Sequence, residues 1–114
     1  MINFTKFQNV DIRVGTIIEA EVPEWSHWVI RLKVDLGEEL GVKKAFSGIM
    51  KFYKPKDLLN KQFPFVVNLE PKTIGPEKEL SEAMMIMAVP NDDEKTKPIL
   101  FDLSEKVPNG TKVR

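Results

Sequence analysis

Residues 30–37 read IRLKVDLG, a strict alternation of apolar and polar side chains that ends on a glycine. A period of two is typical of a β-strand that buries one of its faces, so this alternation places Lys33 opposite the apolar side chains. Gly37-Glu38-Glu39 then indicates a turn, and residues 42–47 follow as the return strand of a hairpin.

The same kind of pattern continues on both sides of this hairpin. Further strands are predicted over residues 12–22, 63–69, 84–89 and 99–103. Helix is predicted over residues 53–60, where Pro55 lies in the first turn, Asp57 lies near the positive end and Asn60 occupies a left-handed cap position. A further helical turn is expected near residues 5–9. Five or six short strands joined by turns predict an all-β barrel or sandwich.

Length and composition limit the class of protein. A chain of 114 residues, 42% hydrophobic and 30% charged, is expected to form a single globular domain over residues 1–114. No apolar run reaches the roughly 18 residues of a membrane span, and no signal peptide is recognised. Cysteine is absent, which suits a reducing compartment, and a cytoplasmic location is predicted.

The charges are unevenly distributed although their sum is zero. Residues 31–72 hold nine Lys or Arg against five Asp or Glu, and Phe46, Phe52 and Tyr53 lie among the lysines of residues 43–61. Lysines beside exposed rings are typical of single-stranded nucleic-acid binding. The alternative is that the rings belong to the core and the lysines to a solvated face.

No catalytic or metal site is predicted. The one histidine, His27, has no second His or Cys that would complete a metal site, and no glycine-rich phosphate-binding motif is present. The acidic runs at residues 38–39 and 92–94 lie in polar turns, without the burial that tunes a carboxylate for acid–base chemistry. We therefore expect neither an enzyme nor a cofactor.

Five short blocks follow one another along the chain. They are VDIRVG at 10–15, LKVDLG at 32–37, SGI at 47–49, NL at 68–69 with PKTIG at 71–75, and SEAM at 81–84. Together they resemble the small tRNA-binding OB-fold modules that occur alone or appended to aminoacyl-tRNA synthetases. Residues 39–44, 53–62 and 107–113 resemble the stand-alone CsaA proteins in particular. The resemblance implies a five-stranded OB-fold barrel with a short helix between strands 3 and 4 and small terminal extensions.

The resemblance also implies a basic groove that recognises tRNA by shape and backbone position. Lys33 matches a lysine that meets the tRNA backbone, Ser81 and Met84 match a Ser-x-x-Met signature that lines the binding surface, and Asn68 matches an asparagine at the mouth of the groove. Together with the lysine-rich segment and the positions that border the groove, the predicted binding set is Arg13, Lys33, Lys43, Phe46, Ser47, Asn68, Lys72, Ser81 and Met84. Structural roles remain open for Asn68 in a turn, Ser81 as a cap and Met84 in the core.

Three partners follow from the resemblance. The first is tRNA, bound by a homodimer that forms through the apolar terminal segments. The second is an unfolded or precursor polypeptide, bound by an export-related chaperone whose adaptable surface includes residues 84–87. The third is an aminoacyl-tRNA synthetase, for which this chain would deliver tRNA. One departure is Ala83, where the synthetase modules usually have a glycine.

Overall fold

The computed structural model describes residues 1–114. The helices are α1 (Phe4–Gln8), α2 (Gly37–Leu40) and α3 (Pro55–Leu58). The strands are β1 (Ile12–Glu21), β2 (Ile30–Asp35), β3 (Val42–Ser47), β4 (Gln62–Val66), β5 (Lys72–Ile74), β6 (Glu79–Ser81), β7 (Met84–Met85), β8 (Met87–Ala88) and β9 (Ile99–Leu100).

Five of the strands form a nearly closed barrel. They pair antiparallel in the order β3-β2-β1-β4-β7, and a parallel bridge between Ala45 and Ala83 joins the two edges. At that seam the backbone N–H of Glu82 donates to the carbonyl of Lys44 at 2.8 Å. The seam leaves the barrel without a long free edge, and the predicted five-stranded OB-fold barrel is confirmed.

The alternation in β2 accounts for the core. Leu32 and Val34 have no exposed surface, and they pack with Phe63 and Phe65, which β4 contributes from the other side of the barrel. Burying an aliphatic or aromatic side chain of this size stabilises the fold by about 1.5–3 kcal/mol. The face of β2 that carries Lys33 is therefore the outer surface of the barrel.

Several elements differ in length from the sequence-based expectation. Helix α3 lies between β3 and β4 as predicted, but it spans one turn rather than two, and Asn60 has the expected positive φ of 65°. Strand β4 ends at Val66, before the predicted end at residue 69, and the Val67 N–H still donates to the carbonyl of Asp11 beside β1. Residues 84–89 divide between the barrel and the β8–β9 pair.

The terminal segments lie against the barrel. The C-terminal segment runs beside β1, where Val14 is hydrogen bonded to both Thr111 and Gly110. At the other end of the chain, α1 has no buried residue. None of the helices has the length and apolar composition that a membrane crossing requires.

Candidate functional site

The outward side of β2 and β3 forms a surface that we call the β2–β3 face. Arg31 and Lys33 of β2 lie opposite Phe46 and Lys44 of β3, respectively, in the antiparallel register. Residues directly opposite one another share a face of the sheet, so the four side chains form one cationic and aromatic patch. Ligands of OB folds bind on the face formed by strands 2 and 3 and on its bordering loops.

Two loops border this face. One comprises residues 22–29, between β1 and β2, and the other is the β5–β6 hairpin. The hairpin is anchored to β3, because the N–H of Phe46 donates to the Ser81 hydroxyl at 3.2 Å. Glu79 lies two residues before Ser81 and therefore points to the same side of the hairpin.

Ion pairs neutralise most of the cations on the face. Glu79 accepts hydrogen bonds from Arg31 and, at 3.0 Å, from Lys44. Arg31 also donates to Glu21 at 2.9 Å, and the Lys33 ammonium lies 3.2 Å from Glu19. The face is thus close to electrically balanced, whereas the resemblance implies a basic groove.

Glu79 differs from the other carboxylates in its burial. Its side chain is 12% exposed, whereas those of Glu19 and Glu21 are 64% and 65% exposed. The hydrogen bond from Arg31 lowers the pKa of the Glu79 carboxyl below its ordinary value, against the opposing effect of burial, and the hydrogen bond from Lys44 lowers it further. The bond to Glu79 likewise raises the pKa of the Arg31 guanidinium. Glu79 is therefore a fixed anion that holds two cations of the face in place.

Flat side chains form a continuous row along the edge of the face, which we call the aromatic ladder. The guanidinium carbon of Arg31 lies 5.9 Å from the centroid of the Phe46 ring. The Phe46 and Trp25 centroids are 6.4 Å apart, and those of Trp25 and Trp28 are 6.0 Å apart in an edge-to-face arrangement. The ladder leads from Arg31 and Phe46, at this edge of the face, into the 22–29 loop.

Trp25 fixes the two bordering loops to each other. Gly75, in the β5–β6 hairpin, has φ of +79°, and a Cβ built on it would clash with the indole ring of Trp25. Only glycine tolerates both this backbone conformation and so close an approach. Two N–H groups of the ladder, Trp25 Nε1 and Arg31 Nε, are buried without an acceptor. Both groups are sealed from the surface by the packing of the ladder.

Four of the predicted site residues lie together. Lys33 and Phe46 are on the β2–β3 face itself, and Ser81 connects the hairpin to it. Lys72 is exposed and lies opposite Ser81 in the hairpin register, on the side that carries Glu79.

Three more lie at the margins of the barrel. Met84 is 50% exposed on β7, directly after the residue that bridges to β3. Lys43 pairs with the core residue Val34 and lies 3.8 Å from Glu82, so it projects at the rim rather than beside Lys33. Ser47 lies opposite Ile30, another core residue, and is buried.

The remaining two have structural roles. Arg13 is 6% exposed, donates to Asp11 at 2.7 Å and to Glu39 at 3.3 Å, and also reaches the carbonyl of Gly110. The hydrogen bond to Asp11 raises the pKa of the Arg13 guanidinium, although burial acts in the opposite direction. Its charge is used inside the molecule, which departs from the expectation that it borders the groove.

Asn68 uses both ends of its amide to hold the segment that precedes β1. Its Oδ1 accepts from the Asp11 N–H at 2.9 Å, and its Nδ2 donates to the carbonyl of Asn9 at 2.7 Å. The amide is therefore engaged by the protein backbone, which agrees with the structural alternative more closely than with a role at the mouth of a groove.

Sequence reasoning missed several members of the surface. Arg31 and Lys44 could have been predicted. The period of two that exposes Lys33 also exposes Arg31, and hairpin pairing places Lys44 opposite Lys33. Glu79, Trp25 and Trp28 reach the face through loop conformations for which the local sequence gives no signal. No three His, Cys, Asp or Glu side chains cluster closely enough to hold a metal ion.

Comparison with known sequences gives one family. Residues 12–112 match the sequence model described as a putative tRNA binding domain. The chain is 36% identical over 114 residues to the methionine–tRNA ligase of Clostridium acetobutylicum, covering 99% of this chain and 17% of the ligase. It is 38% identical over 115 residues to that of Methanothrix thermoacetophila, covering 100% of this chain and 16% of the ligase. The chain thus spans less than a fifth of the length of these enzymes.

Solved structures of similar size match along their whole length. The chaperone CsaA from Bacillus anthracis superposes with a TM-score of 0.86 at 36% identity, covering 100% of this chain and 99% of that one. A protein from Pyrococcus horikoshii described as related to methionyl-tRNA synthetase superposes with a TM-score of 0.87 at 31% identity, covering 100% and 98%. With the family match over almost the entire barrel, the chain belongs to the tRNA-binding domain family, in its CsaA-like form.

Proposed function

We propose that this chain is a non-catalytic tRNA-binding module that contacts folded tRNA through the β2–β3 face. The observation that carries the proposal is the position of Lys33, Arg31, Lys44 and Phe46 on the outer side of strands 2 and 3, between the two loops that OB folds use for ligands. Membership of the tRNA-binding domain family supports tRNA as the nucleic acid.

Within this face, the proposal gives Lys33 the leading role toward phosphate. Its side chain is 47% exposed, and its partner Glu19 is 64% exposed. An ion pair this exposed contributes only about 0–1 kcal/mol, so a phosphate displaces Glu19 at little cost. Arg31 and Lys44 remain bound to the buried Glu79 and act mainly as the positively charged support of the ladder.

Lys72 supplies an unpaired cation in addition to Lys33, because it is exposed and has no carboxylate partner within 4 Å. Recognition through a few such contacts depends on their spacing, which matches tRNA shape and backbone rather than base sequence.

Replacing Lys33 by alanine tests this assignment. We expect weaker tRNA binding, and a slope of log affinity against log salt that is shallower by about 0.7–0.9, the value of one phosphate contact. Binding of labelled tRNA to wild type, Lys33→Ala and the control Lys106→Ala, over a series of KCl concentrations, measures both quantities. Lys106 is exposed outside the face. An affinity and slope equal to those of the control would remove Lys33 from the site.

The proposal includes a homodimer that forms through the terminal segments. Helix α1 has only five residues, all unburied, and Phe4 and Phe7 are 70% and 38% exposed. So short a helix is marginal in water by itself, and an apolar patch of this kind is typical of an interface. Sedimentation of the wild type and of Phe4→Ser tests this: we expect a dimer for the former and a monomer for the latter. A monomeric wild type at tens of micromolar would contradict the dimer.

Polypeptide binding is a second candidate. Support comes from the likeness to proteins named as CsaA chaperones and from exposed apolar side chains such as Met84 and Val89. Titration of a labelled apolar peptide and of labelled tRNA at two salt concentrations separates the two activities, since peptide binding to an apolar surface is insensitive to salt. Delivery of tRNA to a synthetase is a third possibility, and co-purification of a synthetase with the chain tests it.

A further inference from the structure

The chain ends its aromatic ladder in an exposed indole beside a cleft. Trp28 is 52% exposed. It lines a cleft of about 530 Å³ together with residues from the end of β3, the segment that follows it, β8 and the 89–98 loop, among them Ile49, Lys51, Phe52 and Met87. The exposed indole is thus continuous with an apolar part of the cleft wall, and exposed apolar surface that is contiguous in this way is typical of a binding groove.

The backbone that carries this indole is firmly held. The buried Ser26 hydroxyl accepts hydrogen bonds from the N–H groups of Trp28 and Val29, at 3.2 and 2.9 Å. The carbonyl of Trp28 accepts from the N–H of Met50 at 3.2 Å. A side chain that is exposed on a fixed backbone is already positioned for a ligand and loses little further freedom on binding.

We propose that Trp28 is a stacking platform for an unpaired nucleobase of the bound RNA, with Lys51 as the cation for the phosphate of that nucleotide; this inference rests on the proposed RNA-binding function. Aromatic rings beside a cationic track are the means by which OB folds hold unpaired bases. Lys51 is exposed, lines the same cleft and has no carboxylate partner within 4 Å.

Acidic side chains of the 89–98 loop set the orientation of the nucleotide. Asp93 and Glu94 also line the cleft. The Asp93 carboxylate accepts hydrogen bonds from the N–H and the hydroxyl of Thr96 and from the N–H of Lys95, and these bonds keep the pKa of its carboxyl below the ordinary value. The negative charges of Asp93 and Glu94 repel a phosphate and the Lys51 ammonium attracts it, so the backbone of the nucleotide stays near Lys51 while its base enters the cleft.

The experiment uses the fact that Trp25 and Trp28 are the chain's only tryptophans. Trp28→Ala is expected to weaken tRNA binding by about five- to 150-fold, the range measured for loss of one stacked base. The salt slope is expected to stay unchanged, since no charge is removed, and Trp28→Phe is expected to recover most of the affinity. Leu59→Ala, which removes an exposed apolar side chain outside the face and the cleft, is the control. Circular dichroism confirms that each variant is folded.

A second measurement separates a base from other occupants. Single-stranded hexaadenylate is expected to quench the fluorescence of wild type but not of Trp28→Phe, and a hexamer of the same backbone without bases is expected to quench neither. Trp28→Leu, which keeps an apolar but not a flat surface, is expected to bind tRNA as poorly as Trp28→Ala.

Three results would overturn the inference: wild-type affinity in Trp28→Ala, equal quenching by the base-free hexamer, or wild-type affinity in Trp28→Leu. The last would indicate a general apolar contact, as for a peptide. Failure of the wild type to bind tRNA at all would instead overturn the proposed function.

Discussion

The most direct test of the charge balance on the β2–β3 face is Glu79→Gln. Glu79 accepts hydrogen bonds from Arg31 and Lys44 and is 12% exposed. A hydrogen bond to a charged group contributes about 1.5–3 kcal/mol, and a neutral one about half of that. Glutamine keeps one acceptor oxygen, so we expect the free energy of unfolding at pH 7 to fall by about 2 kcal/mol. At 114 residues, this corresponds to a melting temperature lower by about 8 °C.

The pH dependence of this difference is a stricter test. The pKa of Glu79 is lowered in the folded protein. Its contribution to stability is therefore complete above the ordinary carboxyl pKa of about 4.3 and is lost as the pH falls through the lowered folded value. The stabilities of wild type and Glu79→Gln should converge in that acidic range, since a protonated glutamate resembles glutamine.

Urea unfolding of both proteins between pH 7 and pH 2.5 measures this convergence. Glu21→Gln is the matched control: it removes the other carboxylate bound to Arg31, but Glu21 is 65% exposed, so we expect a loss below about 1 kcal/mol. Equal stability of wild type and Glu79→Gln at pH 7, or a difference that persists at pH 2.5, would refute the role assigned to Glu79. The variant should also bind tRNA with a steeper salt dependence, because it releases Arg31 and Lys44 toward phosphate.

Two further substitutions test the supports of the face. Gly75→Ala places a methyl group against Trp25 at a residue with φ of +79°. We expect a loss of about 1–3 kcal/mol in stability and a red shift in tryptophan emission. An unchanged emission spectrum would mean that the hairpin does not contact Trp25. Asn68→Ala removes two hydrogen bonds to the segment before β1. We expect a loss of about 1–2 kcal/mol in the free energy of unfolding and faster proteolysis within residues 1–11. A shallower salt slope for tRNA binding would instead indicate that Asn68 contacts the RNA.

The barrel was predictable because its signal is local. The five strands of the barrel were found, and β3 was located to the residue, since hairpin pairing and burial of one face act over neighbouring positions. The alternation over residues 99–103, by contrast, gives only the two-residue strand β9, and the β5–β6 hairpin was not predicted. The site was less predictable. The positions of Lys33 and Arg31 follow from the same periodicity. Trp25 and Glu79, in contrast, reach the face from the two bordering loops. They do so through contacts between residues 48 or more positions apart, such as Arg31 to Glu79, which a local pattern does not reveal.

The structural partners of Arg13 could not be predicted for a similar reason. In the sequence, Arg13 is a charged residue near the start of a strand, as a binding residue would be. In the structure, Asp11, Glu39 and Gly110 surround its guanidinium. Two of these partners lie far away in sequence, so only the assembled barrel shows that the guanidinium has a structural use. The same holds for Asn68, whose backbone partners are almost sixty residues earlier in the chain.

Charge balance on the face changes how affinity for RNA has to arise. Paired charges of opposite sign cancel at distances beyond a few ångströms, so a face on which Arg31, Lys33 and Lys44 each have a carboxylate partner exerts little long-range attraction on a polyanion. The chain as a whole, with 17 cations and 17 anions, adds no net attraction. Under the proposed function, binding then depends on contacts at close range: a phosphate that replaces Glu19 at Lys33, and a flat base that meets the ladder. Such contacts form together only for an RNA whose backbone and unpaired bases have the right spacing. A balanced face therefore favours shape over charge density, and it disfavours the many other polyanions of a cell.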